Sequence, residues 1–208
     1  MSDAEPLACA INVFDRSDIR SGQTVAIVGV GFLGALLVQL ASKAGARVIA
    51  VSRRPFSLDV AIHNGAVEVA TLSDTWETIG RVRELVGDDG CDRVIEAVGN
   101  QQALDVASEL VKVRGRLVIA GYHQDGTRQV NLQSWNWRGI DVINAHERDP
   151  AIYREGMIKA AAALADGRID PVPLLTHSFA LGDINDAFAA MRDRPDGFLK
   201  AIVRMDGS

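Results

Sequence analysis

Thr24-Val25-Ala26-Ile27-Val28-Gly29-Val30-Gly31-Phe32-Leu33-Gly34 is the stretch that decides the fold. A short β-branched run, bounded by the turn Ser21-Gly22-Gln23 and by Gly29, reads as a buried strand. Phe32 to Ala44 is apolar on most sides and closes at Lys43-Ala44-Gly45, which reads as a helix with a glycine cap. Between them lies GxGxxG. Gly29 permits the tight turn, Gly31 lets backbone approach a pyrophosphate, and Gly34 lets helix and strand pack closely. The helix N-terminus, at Phe32 and Leu33, offers N–H groups and a partial positive charge to phosphates.

The alternation continues downstream. Strands are predicted at Arg47 to Val51, Val67 to Val69, Cys91 to Val98, Gly115 to Gly121 and Ile140 to Ala145. Helices are predicted at Pro55 to Asn64, Trp76 to Val86 and Gln101 to Val113. Parallel strands joined by helices of this length need right-handed crossovers, so the spacing predicts a Rossmann-type α/β fold, a doubly wound, six-stranded parallel sheet with helices on both faces. The expected division is an N-terminal helix (1–20, apolar at Leu7, Ala8, Ile11 and Phe14), a dinucleotide-binding domain (21–150), and a C-terminal tail of helices and a closing strand (151–208) that is not another βαβ repeat. Tyr153, Met157, Ala161 and Leu164 mark one tail helix, Leu181, Ile184, Phe188 and Met191 another, and Phe198 to Val203 the strand.

Composition narrows the classes. The chain has 208 residues, 48% of them apolar, with 22 basic and 27 acidic residues and a net charge of −5. That is enough to bury a core and too acidic overall to hold a polyanion, so nucleic acid is not an expected partner. Val25 to Val38 is shorter than the roughly 20 apolar residues a bilayer span needs, and the N-terminus lacks a basic secretory n-region, so no membrane association is expected. Cys9 and Cys91 have no CxxC-type companion, excluding a disulfide framework or a four-cysteine zinc site and suggesting a cytoplasmic setting. His63, His123, His146 and His177 show no ligand spacing and read as helix-end, loop or surface residues, with His146 closest to a functional strand end.

The second strand ends in Ser52-Arg53-Arg54, where a dinucleotide fold often places a carboxylate on the ribose hydroxyls. A hydroxyl followed by two guanidiniums suits a 2′-phosphate, which favours NADP over NAD; the alternative is a pair of solvated surface arginines. The missing carboxylate also weighs against FAD and S-adenosylmethionine. Trp135 and Trp137 read as packing or interface groups before the last strand, and Trp137 to Ala145 as an apolar sheet edge. Cys91 reads as a small filler in a buried strand, and Arg81, Arg83 and Glu84 as a solvated helix face.

Glu5-Pro6-Leu7-Ala8-Cys9-Ala10, the glycine loop, Asp92 to Gly99, Gly115 to Gly121, Thr176 to Leu181 and Phe198 to Ala201 together resemble the C-terminal coenzyme domain of the medium-chain, zinc-dependent alcohol and polyol dehydrogenases. The resemblance implies a chain that binds NAD(P) for hydride transfer to or from a small alcohol, polyol or carbonyl compound. It places Ala97, Val98 and Gly99 beneath the nicotinamide ribose, and Gly121, Tyr122, Asn144 and Ala145 at the carboxamide. It also brings Glu5 to the catalytic zinc, although an ordinary exposed acid is the other reading of Glu5. In that family the zinc ligands and substrate pocket lie mainly in an N-terminal catalytic domain for which these residues leave no segment. The expectation is therefore a part of a longer or split enzyme, with no catalytic residues of its own, a tail that rejoins the absent domain, and zinc not bound by this chain alone. The resemblance also implies a homodimer or higher form. The alternative is a non-catalytic dinucleotide-binding module.

Overall fold

The computed structural model describes residues 4–205; Met1 to Asp3, on which part of the N-terminal reading rests, lie outside them. The chain divides into two compact units, the first ending at Ile169 and the second beginning at Asp170. In the first, α1 (Ala4–Ser17) precedes β1 (Thr24–Val28), α2 (Phe32–Lys43), β2 (Arg47–Ser52), α3 (Pro55–His63), β3 (Glu68–Thr71) and α4 (Thr75–Val86). Then come β4 (Cys91–Glu96), α5 (Gln101–Leu110), β5 (Val111–Ile119), α6 (Leu132–Arg138), β6 (Asp141–Asn144) and α7 (Pro150–Ala165).

All six strands pair in parallel, in the order β3-β2-β1-β4-β5-β6. The order reverses between β1 and β4, which opens a crevice beyond their C-terminal ends. Strand side chains alternate between faces. Ala26, Val28, Ile49, Val51, Val94 and Leu117 pack with Ile79 and Val82 of α4 and with Leu104, Ala107 and Leu110 of α5. The alternate residues Val25, Ile27, Val48, Ala50, Ile95 and Val118 are also fully buried, on the face where α2 and α1 pack and α7 backs α1. Burial on both faces is why these strands read as continuous apolar runs.

Asp92 fastens the N-terminal end of the sheet. Its carboxylate accepts from the Thr24 N–H at 2.8 Å and pairs with Lys112, joining β4 to β1 and β5. Burial pulls this group upward, but Lys112, the Thr24 N–H and Arg93 outweigh it and hold the carboxyl below the ordinary carboxylate range.

The structure departs from the sequence reading in several places. Helix was expected through Val113, yet α5 stops at Leu110 and β5 starts at Val111, which pairs with Cys91. β-Branched Val111 and Val113 gain more from the ladder than from one more helical turn. Trp135 and Trp137 stand on α6 rather than in an extended lead-in, so they point apart: Trp135 packs against the core while Trp137 is 89% exposed. The apolar edge contracts to β6. In the second unit, β7 (His177–Ala180) and β8 (Ala201–Arg204) pair in parallel through α8 (Ile184–Asp193). The tail thus contains a small βαβ unit, contrary to expectation, because its strands are too short to carry a period-2 signal. The first unit also holds α7, which a division at 150/151 gives to the tail. Among the described residues no helix is long and apolar enough to cross a membrane.

Because the Asp92 carboxyl is depressed on folding, its contribution is present above about pH 4 and lost as pH falls through its lowered folded value. Urea unfolding should show Asp92→Asn reducing stability by about 1 kcal/mol at pH 7, with the gap to the parent closing toward pH 3. A gap that stays constant with pH would contradict this role.

Candidate functional site

The register aligns the strand ends. Val28 is opposite Val51 and Glu96, Glu96 is opposite Ile119, and Ile119 is opposite Asn144. The ladder runs one residue further: Gly29 N–H donates to Val51 O at 2.8 Å, Ala97 N–H to Val28 O at 2.8 Å, Gly121 N–H to Glu96 O at 2.8 Å and Ala145 N–H to Ile119 O at 2.9 Å. Gly29, Ser52, Ala97, Val98, Gly99, Gly121, Tyr122, Asn144 and Ala145 are thereby brought to one edge of the sheet.

Each loop glycine has a separate constraint. Gly29 has φ +104°, and a Cβ there would meet Val98 Cγ2 at 2.5 Å. A Cβ on Gly34 would fall on the carbonyl oxygen of Gly29, well inside van der Waals contact. Gly31 differs: its φ of −88° suits any residue, and a Cβ there would meet nothing within 4 Å. No protein atom requires glycine at 31, so the space before it is open for a ligand.

The caps of the sheet-following helices point the same way. Asp74, Asn100, Asn131 and Asp149 accept from the first backbone N–H groups of α4, α5, α6 and α7. α2 and α3, which follow β1 and β2, have no side-chain cap. At α2 the positive end of the helix dipole lies behind Gly31 with no side chain capping it, an arrangement that favours an anion there. Ser52 is buried. Arg53 is exposed and reaches Gln102 Oε1 at 3.3 Å, while Arg54 sits at the start of α3 before Pro55.

One group escaped the sequence reading. Glu96, the last residue of β4, is fully buried, and its Oε1 accepts from the Val98 and Gly99 N–H groups at 2.7 Å each. His123 Nε2 lies 3.0 Å from Glu96 Oε2, and Arg128 Nε donates to His123 Nδ1 at 2.9 Å. A carboxylate directly after the buried apolar pair Val94-Ile95 was the available signal. His123, read as a loop or surface group, is half-buried in this chain of bonds. His146, the histidine singled out from sequence, is exposed, with its ring 6.3 Å from that of Tyr122.

Glu5 lies elsewhere. Its Oε1 accepts from Tyr153 OH at 2.8 Å, and Cys9 Sγ lies 3.3 Å away. Contact with Cys9 and Glu5 pushes the Tyr153 hydroxyl up, and burial pushes up the Cys9 thiol. Among the described residues no three His, Cys, Asp or Glu side chains gather as metal ligands, so they do not by themselves fit a zinc ion. Cys91 is buried, its thiol pushed up to about 12 by burial, which suits the filler role expected of it.

A doubly wound parallel sheet with a glycine turn at its switch point makes this a Rossmann-type α/β protein. The chain belongs to the zinc-binding dehydrogenase family, whose model matches residues 33–163, more than half of the sequence. It is 28% identical over 206 residues to 2-dehydro-3-deoxy-L-galactonate 5-dehydrogenase of Pseudoalteromonas atlantica, covering 96% of this chain and 56% of that protein. It is 31% identical over 195 residues to NADP-dependent isopropanol dehydrogenase of Thermoanaerobacter brockii, covering 91% and 54%. Among solved structures it resembles one described as a zinc-binding dehydrogenase from Sinorhizobium meliloti 1021 bound to NADP. The TM-score is 0.81 at 28% identity, over 97% of this chain and 57% of that one. The chain spans about half the length of the curated relatives it matches, and corresponds to their coenzyme-binding part.

The two kinds of glycine should separate in unfolding experiments. Gly34→Ala should lower stability by about 2–4 kcal/mol, since backbone must move to admit the methyl group. Gly31→Ala should change it by less than about 0.5 kcal/mol. Equal losses would contradict the division.

Proposed function

We propose that this chain binds a nicotinamide dinucleotide across the C-terminal edge of its sheet, as the coenzyme-binding part of an alcohol or polyol dehydrogenase. The observation that carries this reading is the open space at Gly31 before the uncapped N-terminus of α2. There the turn Gly29, Gly31, Phe32, Leu33 and Gly34 would hold the pyrophosphate. Ser52, Arg53 and Arg54 would hold the adenosine ribose and its 2′-phosphate, which favours NADP over NAD. Ala97, Val98 and Gly99 would lie beneath the nicotinamide ribose, with Gly121, Tyr122, Asn144 and Ala145 at the carboxamide.

When bound, the nicotinamide supplies the hydride acceptor or donor, and the protein's contribution is binding and orientation. The reacting partner is a small alcohol, polyol or carbonyl compound, polarised by a zinc ion held by another part of the enzyme. Glu5 would approach that ion from this side. The two free cysteines fit a cytoplasmic setting. β6 is the outer strand beyond β5, and with exposed Trp137 beside it this edge would pair with a second copy in a homodimer or larger form.

Fluorescence titration tests the cofactor assignment. The chain should bind NADPH more tightly than NADH. Replacing Arg53 and Arg54 by Ala should cost NADPH about 1.5–3 kcal/mol and leave NADH nearly unchanged. Equal affinities unaffected by the substitutions would remove the preference, and no binding of either dinucleotide would remove the reading.

Light scattering tests the assembly. The chain should have at least twice the monomer mass, reduced by Trp137→Asp. A monomeric parent protein would overturn the pairing.

A further inference from the structure

The loop after β4 is constrained from three sides. Ala97 is bonded to Val28 of β1, and Val98 crowds Gly29. Gly99, with φ +90°, lies so close to the 121–122 backbone that a Cβ on it would meet Tyr122 O at 2.7 Å. A Cβ on Gly121 would in turn meet Glu96 Oε2 at 2.6 Å. In this tight loop the Val98 and Gly99 N–H groups both turn toward the Glu96 side chain. Glu96 Oε1 takes both, and its own burial is compensated only if Oε2 also has a donor.

That donor is His123, and Arg128 fixes its tautomer. The Arg128 Nε–H can only donate, so His123 Nδ1 must accept, and the imidazole proton resides on Nε2 and is given to Glu96. Arg128 Nη2 also donates to Gly99 O at 2.9 Å and pairs with Asp125. Gly99 is thus held at its N–H through Glu96 and at its carbonyl through Arg128, with the His123 ring between them, 16% exposed. Charged groups facing the ring are Asp125 and Arg128 from its own loop and Glu96 from β4.

We infer that His123 is a positioning residue of the dinucleotide site, a neutral imidazole that sets the Val98–Gly99 backbone through Glu96 and Arg128. Its effect is exerted through those two partners. It acts on the floor of the crevice, where exposed Val98 faces outward. This rests on the reading of the crevice as a dinucleotide site.

The test compares His123→Ala and His123→Gln in the full chain, by NADPH titration, thermal unfolding and amide NMR of the ligand-free protein. Alanine leaves the Glu96 oxygen and the Arg128 N–H without partners. Glutamine offers a side-chain N–H to the first and a carbonyl oxygen to the second. Alanine should weaken NADPH binding about tenfold or more and shift the Val98 and Gly99 amide resonances. Glutamine should return affinity to within about threefold of the parent and restore those resonances. Unchanged affinity in His123→Ala, whether or not its melting temperature falls, would overturn the inference. So would a glutamine variant as weak as alanine. If the parent chain binds no dinucleotide while the amide shifts still follow residue 123, the crevice reading has failed and the bond network has not.

Discussion

Close backbone approach at the β1/β4 junction is the constraint on which the rest of the first unit depends. Gly29 and Gly34 let α2 begin against the end of β1, and Gly99 and Gly121 let the loops after β4 and β5 touch. A Cβ at any of the four would force backbone apart. With them, the strand ends stay in register from Val51 through Val28, Glu96 and Ile119 to Asn144, and the loops that follow open onto one crevice. The buried apolar residues on both sheet faces supply the driving force for folding, but they would tolerate a looser edge. The glycines make the edge definite.

Two means satisfy the backbone polar groups at that edge. Asp and Asn side chains cap the helices that follow β3 to β6. After β1 and β2 no side chain does so, leaving α2 in particular ready for an anion. Beneath the β4 loop a buried carboxylate performs the capping, which commits the chain to a donor for its second oxygen, found in a histidine of the loop after neighbouring β5. An affinity site and a rigid floor are therefore built from the same requirement, that buried polar backbone must find a partner.

Much of the fold was legible in the chain because its signals are local. The β-branched runs at Thr24 to Val28 and Arg47 to Val51, the glycine spacing and the helix stops at Gly45, Gly65 and Gly87 each fall within a few residues. The misreadings occur where local signals conflict. Val111 and Val113 continue a helical apolar pattern until pairing with β4 draws them into β5. The tryptophans flanking Asn136 look alternating until helix formation turns them to different faces. The second unit's strands, four residues each, gain their identity only by pairing with one another.

The sequence by itself determined the parallel sheet, the glycine turn and the absence of a carboxylate after β2, because chain-local sterics and periodicity encode them. Only the tertiary structure decided that Gly31 faces open space while Gly29 and Gly34 are crowded by neighbouring atoms, since that depends on the loop after β4 and on the turn itself. It also decided that His123, rather than His146, is built into the crevice. Glu96 and His123 are distant in sequence and become partners because β4 and β5 lie side by side in the sheet.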